Sequence, residues 1–172
     1  MSKNKVTQTV KMDEEFDRTK TEWQEPIKNL YDICKEELIW VYPSSDTEAF
    51  LSQIWKQSLE AFDKPREVQI VIDSNDNIYM SVGTSGFVSF ENQEEGLTGM
   101  KLPIKCWIHT HPFGLAYFSD TDWTTINTWK GILDSAIVLG DAQYVAYNCK
   151  DRIAKRVEYG LYEQQKDGEE EE

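Results

Sequence analysis

A change of hydrophobic period at Pro65 divides this sequence and limits the folds open to it more than any other feature. Before the proline, apolar residues recur at the three-, four- and seven-residue spacing of helices. After it come β-branched runs broken by turn residues. Between Phe16 and Val41 the positions Phe16, Trp23, Ile27, Leu30, Cys34, Leu38 and Val41 form one helical stripe, with Pro26 in the first turn of its main part. VYPSSDTEAF stops that helix and starts another, because Ser45 and Glu48 stand at capping-box spacing ahead of Leu51, Ile54, Trp55, Leu59 and Phe62. The second helix should end near Asp63.

Beyond Pro65, EVQIVID reads as a strand, SNDN as a turn and NIYMSV as its hairpin partner. Gly83 to Lys101 carries four glycines, several acids and the apolar Phe87, Val88 and Phe90. It reads as a long loop with a short strand inside. IKCWIHTH is a strand ended by Pro112 and Gly114, and a helix follows from about Asp120 to Trp129. SAIVLG and AQYVAYN are two further strands, the first of them buried. DRIAKRVEYGLY fits a last strand or a helix, and no internal repeat is visible.

At 172 residues, with 40% hydrophobic content, the chain can bury one good core. No apolar run approaches the ~20 residues needed to cross a bilayer, and MSKNKVTQTV has no apolar stretch behind it, so neither a membrane span nor a secretory signal is expected. Cys34, Cys106 and Cys149 are widely spaced and form no CxxC pair, which fits a reducing, cytoplasmic setting. A net charge of −13 without clustered Lys or Arg argues against nucleic acid as a partner. The acidic end DGEEEE reads as a solvated tail.

The only two histidines are His109 and His111, inside the strand that precedes Pro112. A side-chain period of two points both to one face of the sheet, where two imidazoles can converge on one ion. Cys106, Ile108 and Thr110 face the other way. Eleven residues past His111 stands Asp122, and three before it Ser119, at the start of the next helix. Ser119 and Asp122 also fit the spacing of a plain helix cap, so two readings of these residues stand side by side. Two histidines and a carboxylate are a recurrent ligand set for catalytic zinc, because three protein ligands leave a fourth position open. Acids before the strand pair are the candidates for a proton-transfer group.

His109-Thr-His111, seven residues beginning with Pro112, then Ser119-x-x-Asp122 resembles the HxHx(7)SxxD signature of the JAMM (MPN+) zinc metalloproteases, which include deubiquitinating and related isopeptidases. The resemblance covers roughly residues 47 to 160. It implies an α/β (α+β) fold with a cytidine-deaminase-like sheet flanked by helices, spanning residues 45–162. Outside it would lie a disordered N-terminus (1–12), an accessory helical segment (13–44) and an acidic disordered tail (163–172). It further implies Zn2+ held by His109, His111 and Asp122, with Ser119 donating a hydrogen bond to an oxyanion. The family's general base is a glutamate at the start of the first strand, which carries over to Glu67. Gln69, Ile70 and Val71 stand where the family has glycine-rich sequence, so Glu60 and Glu91 remain alternatives.

By the same resemblance the expected substrate is the C-terminal tail of ubiquitin or a ubiquitin-like protein, cut at an amide bond, with the Gly83 to Lys101 segment as a flap that pairs with it. No Ser/His/Asp triad competes, since both histidines are already assigned. Three other readings are an amidase of a small substrate or sulfur-carrier-type protein, a non-catalytic MPN-like scaffold, and a structural zinc site. The last normally needs a cysteine-rich set of four ligands, which this face does not offer. Oligomeric state is not encoded in any pattern found here.

Overall fold

Residues 21–83 and 99–158 are described by the structure, a computed structural model. The first stripe folds as α1, Gln24–Cys34, with Pro26 in its first turn, where a missing N–H leaves no bond unmade. This helix ends earlier than the stripe. Lys35–Glu37 tighten into a 3-10 turn and Leu38 is already extended, yet Leu38 and Trp40 still pack on the core, so apolar recurrence outlasts the helix. Phe16 lies outside the described residues.

The second helix, α2, spans Ser45–Glu60, a few residues short of Asp63. Its cap is Ser44, one residue before the serine expected, and Ser44 Oγ accepts from Thr47 N–H at 3.2 Å. With Ser44 extended and Ser45 helical, Glu48 falls one place beyond capping-box spacing.

The strand part forms one six-stranded sheet of β1 (Val68–Ile72), β2 (Ile78–Val82), β3 (Cys106–Thr110), β4 (Ser135–Gly140), β5 (Gln143–Asn148) and β6 (Ile153–Glu158), in the order β2-β1-β3-β4-β5-β6. All neighbours are antiparallel except β3 and β4, which run parallel across the helix α3, Asp120–Thr128. The architecture is therefore mixed α and β, a sheet with helices packed on it. DRIAKRVEYGLY resolves in favour of strand over Ile153–Glu158.

Strand alternation divides the core into two layers. Ile70, Ile72, Cys106, Ile108, Ile137 and Leu139 face α1 and α2, meeting Ile27, Tyr31, Phe50, Ile54 and Trp55. Val71, Trp107, Ala136 and Val138 face the other way, under Phe118 and Ile126. Cys106 thus lies across the sheet from the histidine face. β1, β3 and β4 are buried along nearly their whole length, as expected for central strands covered on both faces. Among the described residues, no helix is long and apolar enough to cross a membrane. Phe87, Val88, Phe90, Glu91 and the ends of the chain, including the acidic tail, lie outside the described residues.

Candidate metal centre

The carboxyl end of β3 and the amino end of α3 meet beside the parallel pair of β3 and β4, a place where open α/β sheets commonly form sites. His109 is the fourth residue of β3. His111 lies just past the strand, and its N–H continues the ladder by donating to Leu139 C=O at 2.8 Å. Asp122 Oδ2 lies 3.0 Å from His109 Nε2 and 3.4 Å from His111 Nε2. The short loop PFGLAYF is pinned in this approach by Gly140. A Cβ there would stand 2.3 Å from the Ala116 backbone nitrogen, so only glycine lets β4 come this close.

The two readings of Ser119 and Asp122 coincide in one arrangement. Ser119 Oγ accepts from Asp122 N–H at 3.1 Å, and Asp122 Oδ2 accepts from Ser119 N–H at 2.9 Å, a complete capping box. The oxygen that closes the cap is also the one nearest both imidazoles.

Glu67 sits one residue before β1. Gln69 pairs with His109 across β1 and β3, and continuing that register beyond the strand ends sets Glu67 opposite His111. Glu67, His109 and His111 offer ligand atoms within 4.8 Å of one another. The two imidazoles therefore lie near both carboxylates, Asp122 and Glu67. Glu60, on the exposed end of α2, is not part of this group, and Glu91 lies outside the described residues.

Burial dominates the electrostatics. It pushes the Glu67 carboxyl up to about 7, with His111 pulling it down and Asp122 adding to the rise. His109 is fully buried, which lowers its pKa despite the neighbouring carboxylate and favours the neutral, ligand-competent ring. Burial also opposes charge on His111, but Asp122, Glu67 and a hydrogen bond to the Leu115 backbone outweigh it and raise the pKa. For Asp122, burial alone would raise the pKa. The two imidazoles and the Ser119 N–H reverse this and hold the carboxyl far below its usual range.

Among the described residues neither ring nitrogen of His109 has a hydrogen-bond partner, although Asp122 Oδ2 approaches Nε2 to 3.0 Å. Buried polar atoms left without partners are costly and uncommon. A cation between the imidazoles and Asp122 would engage Nε2, and nitrogen with carboxylate oxygen is a donor set that suits zinc. The residues present therefore fit the ion, through His109, His111 and either Asp122 or Glu67.

Two neighbours of the centre escaped the sequence reading. Trp107 stacks on His109 with ring centroids 4.4 Å apart and planes 15° from parallel, and its indole N–H donates to Gln69 Oε1 at 3.1 Å. Tyr117 meets His111 edge-on at 5.1 Å. The signal for Trp107 was its parity with His109; for Tyr117 the sequence carries none. His111, Tyr117 and Ser119 line an open cleft of about 330 Å³ together with Pro112, Phe113 and Gly114. Of these, Phe113 and Tyr117 are largely exposed.

Comparison with protein-family models, with curated proteins and with solved structures finds no match to this chain.

Proposed function

We propose that this chain is a zinc-dependent amide hydrolase of the JAMM kind, acting on the C-terminal tail of a ubiquitin-like protein. The observation that carries the reading is the approach of one buried carboxylate oxygen to two imidazole Nε2 atoms, 3.0 and 3.4 Å away, one of them on His111, which lines an open cleft. The four-position spacing from His109 to Asp122 supports the same family on independent grounds.

His109, His111 and Asp122 would hold the ion in this reading. Bound there, zinc would supply Lewis acidity toward a carbonyl and toward water, whose pKa it lowers to ~7. Glu67 accepts a proton from the attacking water and returns it to the nitrogen of the leaving amine as the carbon–nitrogen bond breaks. A carboxyl pushed up to about 7 can do both near neutrality. Ser119 Oγ accepts from Asp122 N–H, which leaves its own proton to donate to the developing oxyanion. Trp107 stacks on His109 and keeps that ring from turning.

The cleft favours a protein tail over a small molecule. It is open, and the exposed Phe113 and Tyr117 provide an apolar wall that a closed small-substrate pocket would not need. The test is metal analysis of the purified chain, with chelator-sensitive cleavage of ubiquitin-like fusions by the parent, Glu67→Gln and Asp122→Asn. Expected are one zinc per chain and cleavage in the parent, zinc without cleavage in Glu67→Gln, and loss of zinc in Asp122→Asn. Zinc lost from Glu67→Gln but kept by Asp122→Asn would make Glu67 the ligand. A parent that takes up no zinc would end the hydrolase reading.

A further inference from the structure

A chain of buried hydrogen bonds begins and ends on the peptide groups either side of Glu67. Val68 N–H donates to Thr110 Oγ1 at 2.9 Å, and Ser58 Oγ donates to Arg66 C=O at 2.7 Å. The two hydroxyl oxygens lie 3.0 Å apart. A serine has one proton to give, and Ser58 gives it to Arg66, so Thr110 is the donor between them. The direction is then fixed throughout: Val68 N–H to Thr110, Thr110 O–H to Ser58, Ser58 O–H to Arg66 C=O.

The placement of these groups matters more than their number. Thr110 stands between His109 and His111 and, by strand alternation, points away from them toward α2. Ser58, in the last turns of α2, is fully buried, as is Thr110. Two more bonds complete the frame, since Arg66 N–H donates to Ser58 C=O and Gly83 N–H to Glu67 C=O, each at 2.9 Å. The Arg66 and Glu67 carbonyls and the Val68 N–H, which flank the Glu67 side chain, are thereby tied to α2, to the residue that follows β2 and to the residue between the histidines.

We propose that the Ser58–Thr110 hydroxyl pair is a positioning device that sets the Glu67 carboxylate against the two imidazoles. The proposal rests on the hydrolase reading above. It assigns Ser58 and Thr110 no contact with substrate; they act through the backbone that carries the base. Proton transfer requires hydrogen-bond reach, and a misplacement of about 1 Å at a catalytic group can cost on the order of 10²-fold in rate.

The test compares the parent with Ser58→Ala, Thr110→Val and the conservative Thr110→Ser. Three quantities are read: bound zinc, kcat and KM on a ubiquitin-like fusion, and hydrogen exchange of the Val68 amide. Expected are unchanged zinc and KM in Ser58→Ala and Thr110→Val, kcat lower by about 10- to 100-fold and faster Val68 exchange, with Thr110→Ser recovering the parent's values. Should Thr110→Val fail to fold, Ser58→Ala carries the test alone. A folded Ser58→Ala that exchanges faster yet keeps the parent's kcat overturns the positioning role and leaves the hydrolase reading standing. The same holds if kcat falls only in proportion to bound zinc. A parent that neither takes up zinc nor cleaves overturns the hydrolase reading, and the positioning role with it.

Discussion

Asp122 Oδ2 serves two structures at once, the capping box of α3 and the group that faces the histidines. Sequence spacing could not separate a cap from a ligand because the geometry of one produces the other: the cap fixes the side chain, and the fixed side chain points at the imidazoles. Under the proposed function Ser119 has the same double character, and its parts can be separated by substitution. Alanine at a helix cap costs about 1 kcal/mol, whereas glycine costs only a few tenths. Ser119→Gly therefore keeps most of the stability while removing the hydroxyl donor. The expected result is a melting temperature within a few degrees of the parent and a kcat lower by about 10²-fold, read by thermal melt and cleavage assay. If Ser119→Gly retains full kcat, the hydroxyl is a cap and nothing more.

The β1–β2 hairpin shows how an element can be secured by one buried acid. Asp73 follows β1 directly, and its carboxylate accepts from the N–H groups of Asn75 and Asn77, the Asn77 side chain and Lys101 N–H. It thereby ties the turn to the far end of the segment that leaves β2. Asp76, at φ 63°, takes the Tyr31 hydroxyl at 2.7 Å and the Lys105 ammonium, linking the same turn to α1 and to the approach to β3. Burial alone would raise both carboxyls, but these donors outweigh it and hold both below the ordinary range. A carboxyl depressed on folding adds stability above its unfolded pKa of ~3.9, and that contribution disappears as pH falls through the folded value. Asp73→Asn, which presents an NH2 group to donors, should cost about 1–3 kcal/mol at pH 7. The gap between parent and variant should close as pH drops below ~4. Denaturant titrations at both pH values measure it, and an equal gap at each would rule out the carboxylate as the source.

At the scale of the whole molecule, elements with a buried face were legible in the sequence and the others were not. β1, β3, β4 and α2 declared themselves through periodic apolar residues, whereas β6 left helix and strand open because nearly all of Ile153–Glu158 is exposed and no inward face marks a period. The histidine pair was readable from parity alone. Glu67 was reachable only through family resemblance, since its place opposite His111 comes from the pairing of β1 with β3, a contact between segments some forty residues apart. The same logic bears on the N-terminal helical segment, which lies outside the family-like region in sequence but shares its core in space. Trp23, Ile27, Tyr31 and Cys34 are buried in the layer that also holds Phe50, Ile54, Ile70 and Ile108, and Trp23 packs edge-on against Phe62 with centroids 5.3 Å apart. Burying side chains of this size is worth about 1.5–3 kcal/mol each. Four of them approach the ~5–15 kcal/mol by which a domain is stable at all. A chain beginning at Ser44 would expose that face of α2 and sheet to water. It should lose its cooperative thermal transition and elute as aggregate in size-exclusion chromatography, with the candidate metal site lost as a consequence of unfolding. If the shortened chain instead melts cooperatively within about 5 °C of the parent, α1 is an appendage, and its apolar face is then free to serve a partner.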